Sequence, residues 1–103
     1  MRVRVASVLE VEVGTAVAVE VNGRTIAICR PTPDEVYAID DTCSHARASL
    51  SEGELMDYEI ECPRHGAHFD IRTGEALTLP ATKPVRTYGV VVDNGEIYIE
   101  LPE

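Results

Sequence analysis

Tryptophan is missing from this chain, and Phe69 is its single phenylalanine. With aromatics at 5%, the apolar interior has to be built mainly from Val, Ile, Leu and Ala. Basic residues are also scarce: nine Lys and Arg against eighteen Asp and Glu leave a formal net charge of −9. Phosphate binding needs clustered Lys and Arg, so no nucleic-acid partner is expected. The acidity suits solubility, and it suits steering toward a basic protein partner. No apolar run approaches the roughly 20 residues that span a bilayer. Met1 to Val13 alternates charge with Val and forms no signal-peptide core, so the expectation is no membrane association and a cytoplasmic location. Three cysteines make an odd set for a disulfide framework. In a reducing compartment, Cys placed beside His points to metal binding.

The remaining composition is that of a folded protein, and 103 residues suit a single domain, residues 1–103. A chain of this size buries roughly 60–70% of its unfolded surface, so its core is modest and a metal cross-link would support it. Apolar and polar residues alternate with period two, and the helical period is weak. Thr15 to Val21 and Arg24 to Arg30 flank Asn22-Gly23, and Val85 to Asp93 and Glu96 to Leu101 flank Asn94-Gly95. Both read as hairpins with two-residue turns whose residues accept positive φ. Further strands are predicted over Glu35 to Ile39, Tyr58 to Glu61 and His68 to Ile71. Asp40-Asp41 ends the first of these, and Arg72 to Glu75 forms a turn. Leu50 to Met56 holds one helical turn at most, and Pro80 to Pro84 reads as an extended loop. The sum is an all-β domain of short antiparallel strands, a sandwich or small barrel.

Two pairs of soft and borderline ligands stand out. Cys43-Ser44-His45 is C-x-H and Cys62-Pro63-Arg64-His65 is C-x-x-H, with sixteen residues between His45 and Cys62. Each pair follows a predicted strand and so sits on a strand-end loop. The intervening segment is long enough to turn and bring the loops face to face. Zinc fingers usually place a Cys pair first and a His pair later. Here each loop mixes the two, which suits a binuclear centre with both thiolates on one iron and both imidazoles on the other. Ligand chemistry alone leaves iron–sulfur and zinc both open.

The residues around the ligands carry a resemblance. Cys43-Ser44-His45, Ala48 to Gly53, Ile60 to Gly66, Phe69 to Gly74 and Pro84 together resemble Rieske-type ferredoxins. The similarity is to the ferredoxin components of bacterial aromatic-ring-hydroxylating dioxygenase systems, and it runs from about Val5 to Leu101. The resemblance implies the Rieske fold, three antiparallel β-sheets with a loop-built cluster-binding subdomain over about residues 41–70. It implies one [2Fe–2S] cluster per chain, held by Cys43, His45, Cys62 and His65, with the histidine-bound iron nearest the surface. It also implies a monomeric electron carrier between a flavin- or NAD(P)H-dependent reductase and a terminal oxygenase, with no catalytic residues of its own. A small Rieske subunit of another oxidoreductase, such as assimilatory nitrite reductase, is the alternative. A structural zinc module is the third class.

Two departures within the resemblance bear on potential. High-potential relatives carry Ser and Tyr hydroxyls where this chain has Ala67 and Phe69, and a disulfide where it has Ala48 and Arg64. Hydrogen bonds to cluster sulfur stabilise the reduced state. Their loss places the expected potential near the low end of the Rieske range, about −150 mV. Ala46-Arg47 stands where many relatives have Gly-Asp, which predicts strain of order ~1 kcal/mol at Ala46 if the Gly has positive φ. Arg47 and Arg64 either raise the potential or meet solvent. Elsewhere the ordinary readings hold: Cys29 is a buried or half-buried thiol, His68 a surface group or a neighbour of the ligands, and Tyr88 and Tyr98 strand packing, while Pro80 resembles the family loop that covers the cluster and is explained equally well as a turn residue.

Overall fold

The computed structural model describes residues 1–42, 48–64, 66–79 and 83–101. In chain order it runs β1 (Arg2–Ser7), a 3₁₀ turn (Val8–Glu10), β2 (Thr15–Val21), β3 (Arg24–Thr32) and β4 (Glu35–Asp40). A second 3₁₀ turn (Leu50–Glu52), β5 (Leu55–Met56), β6 (Glu59–Glu61) and β7 (His68–Asp70) follow, then β8 (Thr87–Asp93) and β9 (Glu96–Glu100). One sheet has the order β1-β9-β8-β4-β3-β2, and a second has the order β5-β6-β7. All pairings are antiparallel. The larger sheet is two three-stranded halves joined by the short β4–β8 pairing at Ala38↔Tyr88 and Ile39↔Thr87. With the small sheet, those halves make up the three-layer arrangement expected from the sequence.

The two Asn-Gly turns form as read. Asn22 and Gly23 have φ of 50° and 78°, Asn94 and Gly95 have 52° and 76°. Positive φ at both positions matches the twist of the flanking strands. Val21 pairs with Arg24 and Asp93 with Glu96 across them. A third hairpin, β5–β6, turns through Asp57-Tyr58 with Asp57 at φ 54°. That turn starts β6 at Glu59, one residue later than the sequence predicts. β8 likewise starts at Thr87, not Val85. The Val85 N–H bonds the Gly74 carbonyl and the Arg86 carbonyl accepts from Asp40, so both residues serve the neighbouring segments.

β3 is the shared wall of two cores. Ile26 and Ile28 point into one, with Ala6 of β1, Val21 of β2, Ala38, and Ile97 and Ile99 of β9. Residues from both ends of the strand order meet there, so the six-stranded sheet curls on itself. Ala27 and Cys29 point the other way, into a core with Ile39, Leu50, Ile60, Cys62, Ala67, Phe69 and Ile71. Ile26 to Cys29 are all fully buried. A strand covered on both faces loses its polar alternation, which is why this segment reads as a continuous apolar run.

Candidate metal centre

Each predicted ligand loop has a tied neck. Cys62 follows β6 directly. Its N–H bonds the Ala67 carbonyl at 2.7 Å, and its carbonyl accepts from Gly66 at 3.0 Å. The loop therefore leaves and returns at one point, with Pro63 and Arg64 exposed at its crest. On the other side β4 ends at Asp40. The Asp41 carbonyl accepts from Leu50 at 2.6 Å, and its carboxylate accepts from the Ser51 N–H at 2.8 Å. Thr42 and Ser49 form an antiparallel bridge across the same neck. Cys43, His45 and His65 lie outside the described residues, as do Ala46-Arg47 and Pro80.

The two necks touch. Glu61, the residue before Cys62, bonds the Glu54 carbonyl through its N–H at 2.9 Å. Gly53 lies so close to the Glu61 carbonyl that a Cβ there would fall 2.8 Å from the carbonyl carbon. Glycine at this position is thus a packing requirement of the joint between the loops. Leu50 and Cys62 share one apolar core.

The chemistry of what is present fits a [2Fe–2S] group. Cys62 is fully buried, and Ala67 and Phe69 of the same core are also at zero exposure. The site thus offers a thiol soft enough for iron, walls that exclude water, and side chains of Ala67 and Phe69 that carry no hydrogen-bond donor. Ala48 is partly buried against this core and Arg64 is exposed, so no disulfide joins those positions.

His68 is engaged by carboxylates. Its Nδ1 lies 3.0 Å from Glu59 Oε1 and its Nε2 3.3 Å from Glu61 Oε2. Cys29 is a buried thiol pushed up to about 12, first by burial and then by the charge of Asp41. Tyr88 packs in the sheet, as read, and also donates to Asp40 at 2.5 Å.

A polar node that the sequence did not reveal joins the two sheets. The Glu35 carboxylate accepts from Tyr58 at 2.6 Å, Tyr37 at 2.7 Å and Thr32 at 3.1 Å. Those bonds, Tyr58 first, hold its carboxyl below the usual carboxylate range, and they push both tyrosines upward. The two rings meet edge to face at 6.2 Å, and the Arg72 guanidinium lies 4.4 Å over Tyr58. Arg72 in turn grips Asp70 at the end of β7, holding that carboxyl low. Glu35 and Tyr37 belong to the large sheet, Asp70 to the small one, and Tyr58 to the turn of the small sheet's β5–β6 hairpin.

Known proteins share this architecture. The Rieske [2Fe-2S] domain family model matches residues 1–89. The 3-phenylpropionate/cinnamic acid dioxygenase ferredoxin subunit of Escherichia coli (strain K12) is 57% identical over 70 residues, 67% of this chain. That stretch spans 66% of the relative, just under two thirds of its length. The ferredoxin of carbazole 1,9a-dioxygenase from Nocardioides aromaticivorans IC177 superposes with a TM-score of 0.91 at 44% identity, covering 96% of each chain. A structure described as a complex of reduced oxygenase and oxidized ferredoxin in carbazole 1,9a-dioxygenase matches with a TM-score of 0.88 at 38% identity, over 95% of this chain and 91% of that one. With its tied loop necks, buried Cys62 and curled antiparallel sheets, the chain belongs to the Rieske [2Fe-2S] domain family.

Proposed function

We propose that this protein is the ferredoxin of an aromatic-ring-hydroxylating oxygenase system, taking one electron from a flavin- or NAD(P)H-dependent reductase and delivering it to the terminal oxygenase. The single observation that carries the reading is the fully buried Cys62 at the mouth of a closed loop, lashed to the neck of the C-x-H loop. Cys43, His45, Cys62 and His65 are the four ligands in this reading. A bound [2Fe–2S] group supplies reversible one-electron chemistry.

The chain's own residues determine how that chemistry is used. The tied necks hold the margins of both ligand loops in place. Ala67 and Phe69 wall the site without a hydroxyl, which leaves the reduced state less stabilised and sets the potential near the low end of the range, about −150 mV. The net charge of −9 suits docking on basic surfaces of the two redox partners. The complex of reduced oxygenase and oxidized ferredoxin in carbazole 1,9a-dioxygenase, a structural relative, supports such a partner. The reading includes one domain over residues 1–103, with the cluster-binding subdomain at about 41–70, acting as a monomer in the cytoplasm. Among the described residues no helix is long and apolar enough to cross a membrane. A small subunit of another oxidoreductase is not favoured, because the relatives above are dioxygenase ferredoxins.

Metal and sulfide analysis with EPR and spectroelectrochemistry tests the proposal. Two irons and two acid-labile sulfides per chain, a Rieske-type spectrum and a potential near −150 mV are expected. A colourless protein with one zinc and no sulfide ends the reading, and a potential above about +100 mV ends its low-potential part.

A further inference from the structure

The small sheet has one covered face and one open face. Leu55, Ile60, Phe69 and Ala76 turn inward, to the core that holds Cys62. The chain after β7 extends the sheet by one more edge: Phe69 bridges Ala76, the Asp70 N–H bonds the Glu75 carbonyl, and the Leu77 N–H bonds the His68 carbonyl. Successive side chains in such strands point to opposite faces. The residues between the inward ones therefore share the outer face, and Glu54, Glu59, Glu61, Asp70 and Glu75 are all among them. The His68 ring, set between Glu59 and Glu61, lies on the same side. Met56 and Leu77 stand among these acids at 42% and 40% exposure, and Leu79 follows at 80%.

The register sets like against like. Glu59 pairs with Asp70, Glu61 bonds the Glu54 backbone, and Asp70 bonds the Glu75 backbone. Like charges directly opposite one another destabilise a strand pair. The large sheet does the reverse: there Arg2 meets Glu100 at 2.9 Å and Arg4 meets Glu96 at 2.8 Å. On the small sheet Arg72 is committed to Asp70 and to the Tyr58 ring. Among the described residues no arginine pairs with Glu54, Glu59 or Glu75. The outer face thus carries an arrangement that opposes folding, and it carries it beside the second ligand loop. Glu61 precedes Cys62, and His68 follows Ala67, whose carbonyl closes that loop.

We infer that the outer face of the small sheet is a docking surface for a redox protein of complementary make-up, one that presents Lys and Arg around an apolar centre. The inference rests on the reading of this chain as an electron carrier and names the surface that meets its partner. Lys and Arg stems cover apolar surface while their charged heads reach outward, which matches Met56, Leu77 and Leu79 set beside unpaired carboxylates. A second copy of this chain would instead set acid against acid. A face of a few short strands suits the small interfaces of transient electron-transfer pairs, below about 1,200 Å² in total. Complementary charge at such a face raises association rates by about 10–10³-fold, an effect that salt removes.

The test compares the intact, loaded wild-type protein with two triple variants. The face variant is Glu54→Gln, Glu59→Gln, Glu75→Gln. The control is Glu12→Gln, Glu20→Gln, Asp93→Asn, whose exposed acids lie outside the small sheet. Both remove the same charge. Ferric cytochrome c, a lysine-rich protein that accepts one electron from the reduced protein, serves as the probe, and its reduction rate is followed by stopped flow at low and high salt. Reduction potentials are measured on each protein, so that driving force is separated from docking. At low salt the face variant is expected to react about tenfold more slowly and the control less than about twofold more slowly, with the gap closing at high salt. Equal rates in the two variants overturn the inference. Carbodiimide cross-linking of the wild-type protein to cytochrome c, mapped by mass spectrometry, decides where the face variant does not fold: links at Glu54, Glu59 or Glu75 are expected, and links confined to other acids overturn the inference. A wild-type dimer that the face variant abolishes would assign the face to a second copy and overturn it as well. A wild-type protein without a Rieske spectrum instead refutes the electron-carrier reading, a result separate from the cross-link map.

Discussion

Replacing Gly53 with alanine isolates the joint between the two ligand loops. The added methyl is backbone-compatible, because Gly53 has φ −83°. The obstacle is space. A Cβ would lie 2.8 Å from the Glu61 carbonyl carbon and 3.2 Å from the Leu50 carbonyl oxygen. The Glu61 carbonyl oxygen is nearer still and overlaps the added methyl outright, so with carbon atoms packing at about 3.5–4.0 Å the Glu61 carbonyl must retreat by more than ~1 Å. That movement strains the bond from the Glu61 N–H to the Glu54 carbonyl, 2.9 Å long. Overpacking costs about 1–3 kcal/mol, and the weakened hydrogen bond about 0.5–1.5 kcal/mol more. The expected loss is thus about 2–4 kcal/mol, a large share of the ~5–15 kcal/mol that stabilises a typical domain.

Gly14→Ala is the control. Gly14 has φ +84° and nothing within 4 Å of its ideal Cβ, so alanine there carries conformational strain alone, about 1–2 kcal/mol. Each kcal/mol lowers Tm by about 4–8 °C in a domain of this size. Thermal melts followed by circular dichroism should fall on the order of 10–25 °C for Gly53→Ala and about 5–10 °C for Gly14→Ala. Iron content should drop only in Gly53→Ala, because Glu61 immediately precedes Cys62. Equal melts and full iron in both variants would refute the claim that close packing at Gly53 joins the loops.

Three further outcomes follow from the geometry. Glu35 has a folded-state pKa below its ordinary value of 4.5, so its stabilising contribution is present at neutral pH and is lost as pH falls from about 4.5 through that lower value. Denaturant midpoints should therefore decline across that window, less steeply in Tyr58→Phe, and an unchanged slope in that variant would discount the node. The Cys29 thiol, buried and with its pKa near 12, should resist alkylation in the folded protein at pH 8 and react only on unfolding, so rapid native-state labelling at Cys29 in peptide maps would contradict its placement. Ala67→Ser and Phe69→Tyr should each raise the reduction potential by offering a hydroxyl beside the centre, and spectroelectrochemistry showing no rise would remove these two positions from the account of low potential.

The fold was most legible where chemistry is local. Asn-Gly turns and period-two alternation place four strands from adjacent residues alone. The β5–β6 hairpin was not read because Asp57-Tyr58 contains no glycine, and positive φ at Asp57 is imposed by the tertiary pairing of Met56 with Glu59. Cys62 was read as a ligand from spacing, and the structure places it fully buried just past β6. Asp41 was read only as a strand end, since nothing in Asp40-Asp41 distinguishes the half-buried residue from the fully buried one. The Glu35–Tyr37–Tyr58 node was invisible for a different reason. Glu35 and Tyr58 are 23 residues apart, and neither belongs to a motif.

The two-sided burial of β3 reaches beyond packing. Ala27, Cys29 and Ile39 are covered by the small sheet, which leads into Cys62, together with Leu50 of the second 3₁₀ turn and Val85. A chain starved of iron loses the cross-link that steadies that sheet, and its loosening uncovers an apolar strip on the strand at the heart of the molecule. Such strips are what chaperones and proteases recognise. An unloaded chain is therefore expected to be cleaved faster than a loaded one, an outcome that limited proteolysis with and without iron measures directly.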